Sequence, residues 1–194
     1  MGSHDRQLGS QNVLAGLAYA RYAPECTPTT DTGSFHAITV LTTLEEARLA
    51  VNQLAARTER LLSIYTPDLE PALYDQSMFI EVIKHLVLTR PFAKVRVLIF
   101  APGRLSIDGH RFIALARRLS GCIDVRHLPL RAAVPHCAYV IADERAILYR
   151  LRCDAWDGIA DLNNPPVAKL YLHEFDQLWD NCVVPESLRL AEGI

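Results

Sequence analysis

The chain has 194 residues, half of them hydrophobic and 22% charged, with a formal charge of −2 at pH 7. That length fits one domain with a sizeable core, and that charged fraction excludes a wholly disordered chain. The slight negative charge gives no global attraction to nucleic acid or anionic lipid, so binding of either needs a local patch.

No apolar run approaches the ~18 residues of a membrane span. The opening MGSHDRQLGSQN lacks the basic-then-apolar layout of a secretory signal. A soluble, cytoplasmic chain is expected. The first four residues, MGSH, are set aside as a leader of the kind added for expression. Cys26, Cys122, Cys137, Cys153 and Cys182 are odd in number and widely spaced, with no CxxC pair. That argues against a zinc site or a disulfide framework and for reduced, mostly buried thiols. No metal and no cofactor is expected.

Residues 1–35 mix Gly, Ser, Thr and Pro without periodicity and read as a flexible arm. Residues 36–194 read as one domain. FHAITVL (35–41) has the composition of an extended segment. Thr42 with Glu45, or Thr43 with Glu46, forms a capping box. Leu44, Ala47, Val51, Leu54, Thr58 and Leu61 then mark one helical face. The run 62–66 alternates as a short strand, stopped by Pro67-Asp68.

A second helix is predicted from Asp75 to about Thr89, burying Phe79, Val82, Ile83 and Leu86. Val95–Phe100 is dominated by β-branched and aromatic residues, as in a central strand. A third helix starts with Asp108 as N-cap, buries Phe112, Leu115, Ala116 and Leu119, and stops at Gly121. Strand 123–126 and a Pro-containing loop, Pro129–Pro135, come next. Strands Cys137–Ala142 and Ala146–Leu151 follow, joined by the tight turn Asp143-Glu144-Arg145. Asn164 caps a last helix with Pro165 at its first position, facing Val167, Leu170, Tyr171, Phe175, Leu178 and Cys182 inward. The order helix, strand, helix, strand, helix, strand, strand, strand, helix predicts an α/β fold. Its sheet is mixed and covered by helices on both faces.

Among these elements, His136-Cys137-Ala138-Tyr139-Val140-Ile141-Ala142-Asp143 resembles the HxKxxxxD motif of the phospholipase D superfamily, with Ala138 in the lysine's place. The preceding helices, the VRVLIF strand and the IDVRH strand resemble that superfamily's layout over roughly residues 40–180. The resemblance extends to a bacterial branch whose helix at this point carries a Gly-His-Arg…Arg-Arg pattern.

The resemblance implies a phosphodiesterase scaffold of two motifs, in one chain or across a symmetric homodimer. There one histidine attacks phosphorus and a second protonates the leaving oxygen. The lysine neutralises phosphoryl charge, and the acid orients the histidine through its other ring nitrogen. His136 matches the nucleophile and Asp143 the acid. This chain holds one motif, and its lysine is missing. Losing one preorganised charge donor costs about 10²–10³ in rate. The Gly-Ser that follows on the next strand is here Tyr149-Arg150, expected to crowd the phosphate's floor. Arg150, with Arg152 on the same strand face, is the candidate substitute cation.

The helix GHRFIALARRLSG places His110, Arg111, Arg117 and Arg118 at offsets of one outer face. Such a cluster suits phosphate or carboxylate groups. Equally, it suits a solvated face whose Arg117 and Arg118 complement the helix C-terminus. His36, His85 and His127 are isolated, and His173-Glu174 has no metal spacing around it.

The reading is a non-catalytic phospholipase D-like domain that binds or scaffolds. Its ligand would be phosphate-containing or otherwise anionic, held near His136, Asp143, Arg150 and the basic helix. Nucleic acid is not favoured by the net charge. The alternatives are a divergent phosphodiesterase acting on nucleic acid or phospholipid through His136 in a dimer, and a plain protein-interaction domain.

Overall fold

The computed structural model describes residues 38–101, 109–129 and 136–182. The expected arm 1–35, Asp108, Cys26 and loop residues 130–135 lie outside the described residues.

In chain order the elements are β1 (Ile38–Leu41), α1 (Leu44–Arg57), β2 (Leu61–Thr66), α2 (Pro71–Tyr74), α3 (Ser77–Thr89) and β3 (Lys94–Ile99). Then come α4 (Arg111–Arg118), β4 (Ile123–His127), β5 (Ala138–Ala142), β6 (Ala146–Arg150), β7 (Gly158–Asp161) and α5 (Pro165–Trp179). The strands form one mixed sheet in the order β1-β7-β6-β5-β2-β3-β4. β2, β3 and β4 run parallel, and the other pairings are antiparallel.

Alternation along the strands divides the core. Leu62 and Ile64 of β2, Val95 and Val97 of β3, Val140 of β5 and Leu148 of β6 pack beneath α1, α3 and α4. Tyr65, Leu98, Tyr139, Ile141, Ile147 and Tyr149 face the other way, beneath α5. The sheet is therefore covered on both faces, as the element order predicts. Each large apolar side chain buried there contributes roughly 1.5–3 kcal/mol. On the α5 side Tyr171 sits against Tyr139 and Tyr149, with ring centroids 5.3 and 5.0 Å away. Arg96 lies over the Phe175 ring at 5.0 Å while pairing with Asp176 at 2.8 Å.

The ends of α1 follow the sequence signals. The Thr43 hydroxyl accepts from the Glu46 N–H at 3.3 Å, and the Glu46 carboxylate accepts from the Thr43 N–H at 3.0 Å. Asn164 caps α5 by accepting from the Val167 N–H at 3.3 Å.

Four expectations change. The helix expected from Asp75 starts instead at Ser77, where the Asp75 carboxylate accepts from Arg111 rather than capping, and an unexpected short helix, α2, precedes it. Val82 is half-buried and Leu170 is exposed, at the edge of their helices' apolar faces. β7 pairs with β1 and β6, a strand of four residues too short to show a period. Of the four described cysteines, all free, Cys137 is buried and the other three are half-buried.

Candidate functional site

In an open α/β sheet, ligands sit beyond the carboxyl ends of the parallel strands. Here β2 ends at Thr66, beside the start of β5, since Tyr65 pairs with Tyr139. His136, two residues before β5, therefore stands at the expected place. It is exposed, its carbonyl accepts from the Cys153 N–H at 3.0 Å, and its ring lies edge-on to Phe100 at 6.5 Å. Among the described residues none hydrogen-bonds to its ring.

Ala138, where the resemblance expects lysine, is 1% exposed and pairs directly with Arg150 across the β5–β6 ladder. Strand alternation puts both side chains on the face that carries α1 to α4. Arg150 is itself 1% exposed, and its charge is met within the fold. Nη2 lies 2.5 Å from Glu70 Oε2, Nη1 donates to the Ala155 carbonyl at 3.1 Å, and the guanidinium lies 5.1 Å from the Trp156 ring centroid. The same Glu70 oxygen accepts from the Thr66 hydroxyl at 3.2 Å. Burial, opposed by Arg150 and Thr66, leaves the Glu70 carboxyl above its ordinary range. A Cβ on Gly158 would lie 2.5 Å from the Tyr149 carbonyl oxygen and 2.9 Å from Arg150 Cγ, so glycine lets β7 pass this closely.

Tyr149 does not share this arrangement. It points to the α5 face, so the expected crowding by two adjacent side chains reduces to Arg150 alone. Arg152 is exposed and pairs with Asp154 at 2.9 Å. The expected substitute cation is thus present opposite Ala138, but it is already neutralised.

Asp143 is not brought to His136. The two flank β5 at opposite ends, roughly 20 Å apart along an extended chain. The Asp143 carboxylate instead accepts the backbone N–H groups of Glu59, Arg60 and Leu61 at 2.5, 2.8 and 2.9 Å. Asp143 and Glu144 take φ values of 51° and 56°, the conformation of a two-residue hairpin turn. An acid orienting the imidazole is replaced by an acid stapling the β5–β6 turn to the start of β2.

His110 is also relocated. It is 4% exposed at the N-cap of α4, and its Nε2 lies 3.0 Å from the Leu69 carbonyl oxygen. That contact supports a strained turn, since Leu69 has φ 59°. Glu70 follows immediately, so His110 helps hold the carboxylate that engages Arg150. The His110 expected on the outer face of a basic helix is inside the protein. Arg111 fastens α4 through Asp75, at 3.0 Å, and Ser77, at 2.9 Å. Arg118 lies on the rim of a trough between α3 and α4, with Lys84 and Arg111. Glu70 and Lys84 carry no motif that marks them in the sequence. Among the described residues no group of three or more His, Cys, Asp and Glu converges as a metal site, and no helix is long and apolar enough to cross a membrane.

The mixed sheet with helices on both faces, which carries His136 at its carboxyl end, has a phospholipase D-like fold. Solved structures agree. Nuc from Salmonella typhimurium, a phospholipase D family member, matches with a TM-score of 0.56 at 12% identity, over 77% of this chain and 97% of that one. NucT from Helicobacter pylori matches with a TM-score of 0.55 at 12% identity, over 78% and 99%. TrmBL2, an archaeal chromatin protein, matches with a TM-score of 0.57 at 12% identity; the match covers 93% of this chain and 65% of that one. No curated protein matches in sequence. The chain belongs to the family described as Domain of unknown function (DUF7931), whose model matches residues 43–190.

Proposed function

We propose that this domain is a phospholipase D-like fold that binds or scaffolds and does not hydrolyse phosphodiesters. One observation carries the reading: the cation opposite Ala138 is closed on Glu70 in a buried ion pair. Phosphoryl transfer needs positive charge held ready where negative charge develops. A guanidinium already neutralised at 2.5 Å can serve an incoming phosphate only by giving up its carboxylate. The surface left for an anionic partner is the basic side of α3 and α4. The second reading, a phosphodiesterase acting on nucleic acid or phospholipid through His136 in a dimer, keeps one support, the solvent exposure of His136.

The test is hydrolysis of bis(p-nitrophenyl) phosphate by wild type and by His136→Ala. The two proteins are expected to release nitrophenol at the same background rate. Wild-type turnover that disappears in His136→Ala would overturn the proposal and establish the enzyme reading. TrmBL2, similar in fold alone, binds DNA. For this chain, duplex DNA is expected to bind weakly and to release steeply as salt rises.

A further inference from the structure

The end of the sheet opposite His136, where the parallel strands β2, β3 and β4 begin, carries the most exposed large apolar side chain among the described residues. Phe92, in the turn between α3 and β3, is 82% exposed. The turn beneath it is fixed in place. The Ala93 N–H donates to the Arg90 carbonyl at 3.0 Å, and the Lys94 N–H donates to the Arg60 carbonyl at 2.8 Å. Ala93 is buried, so it roots the turn in the core while its neighbour projects outward. A phenyl ring held in water forgoes one of the largest burial gains a side chain offers.

Cations gather around that turn. Leu61 pairs with Lys94 across β2 and β3, which sets Arg60 beside it. The β5–β6 turn reaches the same end, since Asp143 accepts from the Arg60 N–H at 2.8 Å, and Arg145 follows two residues later. Helix α1 also ends here, at Arg57. Arg57, Arg60 and Arg145 are exposed, and none pairs with a carboxylate among the described residues. Arg90 and Lys94 donate to the Thr58 and Gly121 carbonyls and keep their charge. Against them stand the exposed Glu59 and Glu144, and Asp143, which is spent on three backbone N–H groups. In a chain whose formal charge is −2, this end is locally positive. Convexity then decides among anionic partners. Single-stranded nucleic acid takes a basic groove in which several rings stack on successive bases, whereas here one ring stands on a protruding turn. An anionic bilayer takes an apolar group that reaches past the headgroups, with cations level with them. Phe92 supplies the first, and the strand and helix ends that stop around it supply the second.

We propose that the Phe92 turn and the arginines around it form a peripheral docking site for the surface of an anionic phospholipid bilayer. The ring enters the boundary between headgroups and acyl chains, and Arg57, Arg60 and Arg145 meet the lipid phosphates. The site lies at the far end of the sheet from His136, so it goes beyond the reading of the strand ends and does not depend on it.

The test is flotation of the full chain with vesicles of phosphatidylcholine and phosphatidylglycerol in equal parts, against vesicles of phosphatidylcholine alone. Binding to the mixed vesicles is expected, falling as salt rises, with far less on the neutral ones. Phe92→Ser and Arg60→Glu are each expected to weaken it about tenfold or more. Val40→Ser, an exposed position on the edge strand β1, is expected to leave it unchanged. Phe92→Trp is expected to bind and to shift its fluorescence to shorter wavelength on the vesicles, as a ring entering an apolar layer does. Thermal unfolding confirms that each variant is folded. Equal binding to the two kinds of vesicle, none to either, or wild-type binding by Phe92→Ser or Arg60→Glu overturns the proposal. So does Arg60-dependent binding of duplex DNA without vesicle binding. Phosphodiester turnover would defeat the non-enzyme reading and leave the vesicle result standing, so the two failures are distinguishable.

Discussion

Asp143 accepts three backbone N–H groups from residues 59–61 and sits in a left-handed turn. Charge-assisted hydrogen bonds of this kind are the strong ones, and three together hold one turn to the start of β2. Asp143→Ala is expected to cost about 1–3 kcal/mol in urea unfolding, because it orphans donors that the fold partly covers. It should leave the environment of His136 unchanged in histidine NMR spectra. A perturbed His136 resonance would instead restore the coupling that the motif implies. At this scale the sequence was informative about presence and silent about pairing. Ala138 stands out by inspection, since the motif expects a long cation there. Glu70 does not, because its partner Arg150 is 80 positions away and nothing local links the two. His110 looks like a surface residue by helical offset, yet the N-cap position turns it inward.

Elements were legible where one local rule decides them. The box at Thr43 and Glu46, the Asn164-Pro165 start of α5 and the β-branched β3 all form where their signals stand. The second helix formed within two residues of its expected start, whereas α2 was not legible, because four residues carry no helical period. β7 was missed because four residues with a leading glycine carry no periodic signal, and only the neighbouring strands define it. The α1 cap makes a pH-dependent prediction. Hydrogen bonds from the Thr42 backbone and hydroxyl, then from Thr43, hold the Glu46 carboxyl below its ordinary 4.5. A lowered folded-state value stabilises the protein above the unfolded value, and the gain is lost as pH falls through the folded one. The stability difference between wild type and Glu46→Gln should therefore shrink as pH drops below 4.5 in thermal unfolding. A difference that is constant with pH would show that the carboxylate's charge plays no part in the cap.

At the scale of the whole molecule, the alternation of helices and strands was enough to predict a mixed sheet covered on both faces. The state of the strand-end cluster was not predictable, because it is assembled by β6, by the turn before α2, and by β7, whose Gly158 passes close to Arg150. The resulting picture is a phospholipase D-like fold in which the buried Arg150 is paired with Glu70. Removing one partner of a buried ion pair leaves an uncompensated charge and costs about 3–5 kcal/mol. Removing both costs less than the sum. The direct measurement is a double-mutant cycle by chemical denaturation on Glu70→Gln, Arg150→Met and the double variant. The closed pair predicts a coupling of about 2–3 kcal/mol, whereas additivity within about 0.5 kcal/mol would mean that Arg150 is free of Glu70 and the site is open.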